Sequence, residues 1–429
     1  MNHNKLNSRY KLIDIGKYLF LMGLIFLPSA IPISIFFLLL SLIISIKLNY
    51  KEFFLDKINL LLVVISGLMV FSNFRYYITN TNDLIPENYS FIWVDIFNWI
   101  PLFICFWGFQ IYSKTDEDRR LIANTFLIST VPVIASCIAQ AWLGWYGPLS
   151  TLNGLIVWFQ RPLDFYSVTG LFSNPNYAGF WLATIWPFSA LSINFKKKNL
   201  LIFFYFLLIT YFLILTNSRN AILGLVVSIP LIFGIKFLYL SVLIILIILS
   251  LFVVLNYFTE INYELYRNII PYNLVRKFTN FNFLNLESIP RLDGFIRALE
   301  FIKMRPLMGW GGAMFPILYL SSGGTKYFQH THNINLELAF NYGIIVSILL
   351  TSLISIIVVK SFKLIFLQKE YNSIINRAWF ASMIVVIIYN LTDIPYYDGK
   401  FSLLSWILLG GLKSIIDQSK NIKNSNLKV

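Results

Sequence analysis

Two of the chain's three histidines lie in the segment His330-Thr331-His332-Asn333. Histidine can exchange a proton near neutral pH, so either ring is suited to act as a general base. A metal site would need a third ligand, and Glu337 is the only near candidate in the sequence. We therefore expect no metal and no cofactor, and we take His332 and His330 as the candidate catalytic residues.

Two arginines are suited to bind an anion. Arg219 lies at the tip of a short connection, Thr216 to Asn220, between two apolar runs. Arg291 begins a segment in which apolar residues recur at helical spacing until Pro306 stops the helix. A guanidinium group can donate two parallel hydrogen bonds to a phosphate. The alternative is that Arg219 snorkels to the headgroups and that the helix 291–305 only attracts lipid headgroups. Its apolar face is predicted to comprise Leu292, Phe295, Ile296, Leu299 and Ile302.

A third polar segment runs from Gly170 to Gly179 and leads into an apolar run. Asn174 can cap the following helix, and Pro175 suits its first turn. Asn176 follows directly. Read alone, the segment is equally well explained as a plain junction between a loop and a helix.

The composition indicates that these segments are positioned by a membrane protein. Of the 429 residues, 57% are hydrophobic and 13% are charged, and the mean hydropathy is +0.69. Soluble domains carry about 25% charged residues. The net charge of +14 does not indicate nucleic-acid binding, because the basic residues form short clusters between apolar runs. Cys105 and Cys137 both lie inside apolar runs, which suits packing and not a disulfide.

Twelve apolar runs are long enough to span a bilayer or nearly so, which predicts an all-α integral membrane protein with about twelve transmembrane helices. The runs lie near 13–29, 31–47, 58–73, 91–113, 121–145, 176–194, 199–216, 220–236, 238–257, 334–359, 376–391 and 401–416.

The basic residues predict the orientation of these helices. With the N-terminus inside, the inside segments hold 22 of the 34 Lys and Arg residues. The short outside connections hold only Arg75, Arg161, Arg219 and Lys400. Both termini are therefore predicted to be cytoplasmic. The predicted division is helices 1–9 in 1–257, one large outside loop at 258–333 with an amphipathic helix, helices 10–12 in 334–416, and a polar, disordered tail at 417–429.

This topology places the arginines and the histidine pair on one face of the membrane. Such a set suits a lipid-linked diphosphate: arginines would hold the phosphates and stabilise the leaving group, while a histidine deprotonates an attacking hydroxyl. A small-anion transporter is the alternative. It should carry ionisable groups at mid-membrane, where the runs offer little beyond Asp95 and Gln140.

The sequence resembles the O-antigen ligase and polymerase superfamily of bacterial envelopes. The resemblance covers about 170–345 and is carried by the order of four motifs. They are Gly-Leu-Phe-Ser-Asn-Pro-Asn at 170–176, Thr-Asn-Ser-Arg-Asn-Ala-Ile-Leu-Gly at 216–224, Arg291 with Pro306-Leu307-Met308-Gly309-Trp310-Gly311, and His332-Asn333-Ile334-Asn335-Leu336 with Asn341-Tyr342-Gly343-Ile344.

The resemblance implies a metal-independent glycosyltransferase of the bacterial inner membrane whose active face is periplasmic. Its donor would be an undecaprenyl-diphosphate-linked glycan. The acceptor would be lipid A core for a ligase, the first choice, or another glycan for a polymerase. Arg219 and Arg291 would bind the diphosphate, with Asn174, Asn176 and Asn333 as further substrate-binding residues. His332 would be the base, with His330 as the second candidate.

One departure from the family pattern concerns the basic residue that relatives often carry directly before the Asn-Pro-Asn turn. Here those positions are Ser167-Val168-Thr169, and the nearest arginine is Arg161. Arg161 is therefore a candidate substitute in substrate binding, and the resemblance leaves that role open.

Overall fold

The computed structural model describes residues 3–78, 90–163, 167–191, 200–239, 241–247, 250, 290–324 and 328–426. Residues 258–289 of the predicted outside loop therefore lie outside the described residues, as does the end of the apolar run at 238–257.

The described chain is almost entirely helical, as predicted. Its helices are α1 (His3–Phe26), α2 (Ile31–Phe53), α3 (Lys57–Ile78), α4 (Ser90–Ile96), α5 (Ile100–Phe109), α6 (Asp116–Ser129), α7 (Val131–Trp142), α8 (Pro175–Leu191), α9 (Leu200–Leu215), α10 (Arg219–Phe233), α11 (Pro290–Met304), α12 (Phe315–Ser321), α13 (Ile334–Tyr342), α14 (Ile344–Phe362), α15 (Ile374–Thr392) and α16 (Gly399–Asn426). Short 3₁₀ turns occupy Gln110–Tyr112, Ile235–Phe237 and Pro395–Tyr397, and a π-helical turn occupies Lys363–Leu367.

A small antiparallel hairpin departs from the all-α prediction. Its strands are β1 (Leu149–Thr151) and β2 (Ile156–Trp158), and Ser150 pairs with Val157. The hairpin lies in the connection between α7 and α8.

Each of the twelve predicted runs overlaps a described helix, but fewer of these helices are long and apolar enough to cross a membrane. Seven helical segments in the described residues are long and apolar enough to cross a membrane by length and composition. Three apolar helices, Leu200–Leu215, Arg219–Phe233 and Ile235–Ile247, are shorter. A multi-pass helical protein is thus supported, while the number of twelve and the orientation stay predictions. The seven segments are Ile31–Phe53, Lys57–Phe74, Ile92–Tyr112, Asp116–Trp142, Ile344–Leu367, Ile374–Thr392 and Gly399–Lys420.

The predicted continuous span at 334–359 is wrong, because Gly343 divides it into α13 and α14. Gly343 has φ +92°, a left-handed conformation that ends α13. A side chain there would lie 2.1 Å from the Leu307 carbonyl oxygen, and Ile344 N donates to the Pro306 carbonyl at 2.8 Å. Glycine permits both the turn and this close approach of two backbones. As a result α13 is a separate short helix.

The last helix also differs from its prediction. α16 runs from Gly399 to Asn426 and includes most of the segment expected to be a disordered tail. Lys413 is fully buried in this helix and is bonded to both Asp56 and Asp417. The pair with Asp56 attaches the helix to the connection between α2 and α3, and the pair with Asp417 lies within α16 and supports its helical conformation there.

Helix α8 lies at the centre of the bundle, since every residue from Ala178 to Ala190 is buried. It packs against α10 and α15 at Gly179. A Cβ at Gly179 would lie 2.8 Å from both the Ser218 Cβ and the Tyr389 hydroxyl oxygen. Ser218 and Tyr389 are themselves hydrogen-bonded at 3.1 Å. The starts of α8 and α10 and the end of α15 therefore meet at one end of the bundle.

The amphipathic helix predicted over 291–305 is present as α11, and its apolar residues are partly buried in the protein and partly exposed. Ala298, Phe301 and Ile302 are buried in a second apolar cluster together with residues of α12 and α13. Ile296 and Leu299, which belong to the predicted apolar face, are 49% and 47% exposed in the protein. Packing against α13 therefore uses one side of α11 and leaves a second apolar side on the surface.

Candidate functional site

The segment His330 to Asn333 forms a turn that leads into α13. Asn333 is the N-cap of this helix, because its side-chain oxygen accepts the backbone N–H groups of Asn335 and Leu336 at 3.0 and 3.1 Å. The Asn333 amide also donates to the Leu391 carbonyl at 2.9 Å. Asn333, predicted to bind substrate, thus has structural contacts that join α13 to α15.

His332 lies against a carboxylate that the sequence did not single out. Its Nδ1 atom is 3.0 Å from Asp393 Oδ1, directly after the end of α15. His332 has φ +58°, a turn conformation that is uncommon for residues other than glycine. Its side chain is 17% exposed, so the ring is held by Asp393 and can still be reached from the protein surface.

Asp393 is the residue on which the site converges. Its Oδ2 atom accepts from the Asn176 amide at 3.4 Å and lies 3.9 Å from Arg291 Nη2. Burial alone would raise the pKa of Asp393, but the hydrogen bond to His332 and the charge of Arg291 outweigh it and lower the pKa. Asp393 therefore carries its negative charge at neutral pH.

One signal in the sequence could have identified Asp393. It is an acidic residue directly after an apolar run, on the face of the membrane to which the charge pattern assigns the histidines.

Of the two predicted arginines, Arg291 lies beside this pair and Arg219 interacts electrostatically with Arg291. Arg291 Nη1 donates to the Thr392 carbonyl at 3.2 Å. Arg219 begins α10, and its pKa is lowered by partial burial and then by the positive charge of Arg291. Two positive charges that interact in this way favour the binding of an anion.

Two further residues predicted to bind substrate, Asn174 and Arg161, have contacts away from Asp393. Asn174 caps α8, since its side-chain oxygen accepts the N–H of Tyr177 at 2.9 Å. Arg161 is exposed, and its backbone bonds to Gln140 and Thr169. Within the described residues the Arg161 guanidinium forms no hydrogen bond or ion pair with the residues around Asp393. Its role in substrate binding stays a prediction.

His330 differs from His332 in its surroundings. Its Nδ1 atom accepts the backbone N–H of His332 at 3.3 Å, and its ring packs against Tyr397 with centroids 6.2 Å apart. Burial lowers the pKa of His330 to about 4, and the charges of His332 and Arg291 act in the same direction. His330 is therefore neutral at pH 7.

The structure supplies a different third metal ligand from the one anticipated. Ligand atoms of His330, His332 and Asp393 all lie within 4.8 Å of one another, whereas Glu337 accepts the N–H of Thr331. This geometry alone would allow a divalent cation. The adjacent arginines oppose it, because Arg291 already faces Asp393 and repels another cation. The electrostatics of the site favour an anion.

Several residues of this cluster lie in a segment that matches a known protein family. Residues 204–351 match the model of the O-antigen ligase family. The matched segment includes Arg219, Arg291, His332 and Asn333, and it ends before Asp393. No curated protein matches the chain significantly. The match supports the resemblance read from the sequence motifs: over residues 204–351 the chain is similar to the O-antigen ligase family.

Proposed function

We propose that this chain is a membrane glycosyltransferase that moves a glycan from an undecaprenyl-diphosphate-linked donor to an acceptor hydroxyl. The observation that carries the proposal is the contact between His332 and Asp393 with Arg291 beside it, in a chain that matches the O-antigen ligase family over residues 204–351. The pair supplies a base, and the arginines supply a site for the diphosphate.

His332 is the better candidate for the base. A charged Asp393 at Nδ1 favours the tautomer that carries its proton there, which leaves the lone pair on Nε2. His330 is less suited, because its Nδ1 atom already accepts the His332 N–H and burial disfavours its charged form. Asp393 would also stabilise the imidazolium that forms when His332 takes a proton.

The proposed reaction is a displacement at the anomeric carbon of the donor glycan. His332 Nε2 takes the proton of the acceptor hydroxyl as that oxygen forms a bond to the anomeric carbon. The bond between this carbon and the diphosphate oxygen breaks, and the electron pair leaves with undecaprenyl diphosphate. Arg219 and Arg291 would bind the phosphates and stabilise the charge on the leaving oxygen. His332 then returns its proton to solvent or to the diphosphate.

A lipid-linked substrate also needs an apolar surface next to the charged site. An apolar cavity of about 430 Å³ lies between α13, α14, α15 and α16. Leu391 lines it, and the carbonyl of this residue accepts the hydrogen bond of Asn333 beside His332. The cavity therefore begins close to the proposed reaction centre and extends among membrane helices, which suits the chain of a lipid.

The alternative of an anion transporter gains no support from the two polar residues inside the apolar runs, Asp95 and Gln140. Asp95 accepts hydrogen bonds from Asn341 and Tyr342, and Gln140 bonds to the backbone of Arg161 and Gly170. Both polar groups hold helices and connections together. We therefore favour the enzyme.

Within the superfamily we propose a ligase, with lipid A core as acceptor, ahead of a polymerase. The test is deletion of the gene followed by electrophoresis of lipopolysaccharide. A ligase predicts the loss of all long-chain bands and the accumulation of lipid-linked polymer. A band with a single repeat would indicate a polymerase, and an unchanged pattern would contradict both.

Complementation of the deletion strain tests the site. We expect His332→Ala and Arg219→Ala each to abolish transfer while the protein stays in the membrane. The matched controls are His3→Ala, in the N-terminal segment, and Arg297→Ala, whose guanidinium pairs with Asp293 in its own helix. Full transfer by both site variants would contradict the site while leaving the family intact.

A further inference from the structure

Glu337 is a buried carboxyl group to which the proposed reaction gives no role. It lies in the first turn of α13, and the residue is 2% exposed. A buried carboxyl group needs hydrogen-bond partners to offset its loss of hydration. The partners of Glu337 lead directly to the histidine turn.

One oxygen of Glu337 holds the middle of that turn. Oε2 accepts the backbone N–H of Thr331 at 2.8 Å, and Thr331 is the residue between the two histidines. The Thr331 hydroxyl donates in turn to the Asn333 carbonyl at 3.0 Å, and Thr331 is 1% exposed. The Thr331 N–H is shielded from water, so Glu337 is the acceptor available to satisfy it.

The other oxygen connects the turn to the interior. Oε1 lies 3.3 Å from the Tyr397 hydroxyl and 3.4 Å from the Asn341 amide nitrogen. The Tyr397 ring packs against His330. Glu337 thus supports the turn twice, through the Thr331 backbone and through the tyrosine behind His330.

A second carboxyl group lies behind Glu337. The same Asn341 nitrogen is 3.2 Å from Asp95, which also accepts from Tyr342 at 2.6 Å. Within the described residues no lysine or arginine pairs with Glu337 or Asp95. Burial raises the pKa of Glu337 to about 7, and the charge of Asp95 adds to this, while the bond from Thr331 opposes it. Glu337 can therefore hold a proton near neutral pH.

We infer that Glu337 is a positioning residue that fixes the His330–Thr331–His332 turn and so holds His332 against Asp393. The inference rests on the proposed function only in naming His332 as the base. The physical reason is geometric: His332 has a left-handed backbone conformation that the turn must maintain, and Glu337 satisfies the one buried N–H group at its centre.

The first test measures the turn without any activity assay. Purified full-length protein in detergent is treated with diethyl pyrocarbonate, and the labelling rate of His332 is measured by mass spectrometry relative to His3. Glu337→Met keeps the side-chain volume and removes both acceptor oxygens. Glu337→Gln keeps one acceptor for Thr331. Leu338→Met, at a buried neighbour in the same helix, is the control.

We expect labelling of His332 to rise about threefold or more in Glu337→Met, because reactivity follows local opening of the turn. Glu337→Gln and Leu338→Met should label at the wild-type rate. A wild-type rate in Glu337→Met overturns the inference. If Glu337→Met does not fold, Tyr397→Phe takes its place in the test. This substitution removes the hydroxyl group that contacts Oε1 of Glu337. Unchanged labelling in Tyr397→Phe would then overturn the inference.

Transfer kinetics separate positioning from substrate binding. Glu337→Met should lower kcat about tenfold or more with the KM for the lipid-linked donor nearly unchanged, because a displaced base slows chemistry and not binding. A rise in KM at constant kcat contradicts positioning. If the labelling results hold but the wild-type protein transfers no glycan, then the proposed function fails and the positioning of His332 stands.

Discussion

At the scale of single residues, Asp393 determines the tautomer and the ring orientation of His332. The carboxylate accepts hydrogen bonds from His332 and Asn176 and faces Arg291. A histidine beside such a group has a defined tautomer and ring orientation. The same carboxylate holds Arg291 at a distance of 3.9 Å, which is long enough for a diphosphate to compete for this arginine.

Replacing Asp393 by asparagine tests this arrangement. We expect Asp393→Asn to reduce transfer about a hundredfold or more, because the amide keeps the shape of the side chain but no longer fixes the His332 tautomer or stabilises its charged form. The measurement is the initial rate with purified protein and lipid-linked donor.

Asp398→Asn is the matched control for that variant. Asp398 lies nearby, and its side chain faces Lys400 at 3.7 Å and not the histidines. Equal rates for the wild type and Asp393→Asn would remove Asp393 from the site.

At the scale of elements, short helices and turns position the site. α13 is separated from α14 at Gly343, and its N-terminal cap Asn333 is bonded to the end of α15. α11 brings Arg291 to the same place by packing against α13. The separation at Gly343 therefore allows a short helix to carry the histidine turn over the end of α15.

Gly343→Ala should disrupt this arrangement. The new Cβ would collide with the Leu307 carbonyl in a backbone conformation that alanine adopts poorly. We expect a loss of stability of about 2 kcal/mol or more, together with reduced transfer. Thermal unfolding in detergent measures the first effect.

The control for the glycine variant is Gly399→Ala at the start of α16. A Cβ at Gly399 would meet no atom within 4 Å. If both alanine variants melted at the wild-type temperature, the close approach at Gly343 would not constrain α13.

At the scale of the whole molecule, the site lies at one end of a helical bundle whose core includes the buried helix α8. Buried cations, Lys413 and Arg119, pair with carboxylates in connections that the charge pattern assigns to the opposite face. Burying such charges is costly unless they are paired. The Lys413–Asp56 pair joins α16 to the connection between α2 and α3, and Arg119, paired with Asp116 in its own helix, donates to Asn376 of α15. Both contacts lie at the face remote from the proposed reaction.

Cysteine labelling tests the predicted sidedness. In a background without Cys105 and Cys137, a cysteine at the exposed position Glu300 should react with a membrane-impermeant maleimide in intact spheroplasts. A cysteine at the exposed position Lys369 should react only after lysis. The reverse pattern would place the histidines on the cytoplasmic side and would contradict the assigned orientation.

The sequence alone determined the membrane class, the helical runs and most of the residues now found together. Apolar runs and helical spacing are local properties, and they identified α11 and the runs that overlap the described helices. Arg219, Arg291, His330 and His332 were chosen from side-chain chemistry and from the family motifs. Arg291, His330 and His332 lie around the Asp393 carboxylate, and Arg219 interacts electrostatically with Arg291.

Only the tertiary structure decided how these residues act on one another. Asp393 lies 61 residues from His332 in the chain, so its contact with the base depends on the packing of α15 against α13. Asn333 proved to be a helix cap, because its side-chain oxygen accepts backbone N–H groups at the start of α13, whereas the cap at Asn174 was predicted from the Asn-Pro step. Glu337 likewise needs α13 to bring it beneath Thr331. Side-chain type is a local property of the sequence, whereas partners, burial and the resulting shifts in pKa depend on long-range packing.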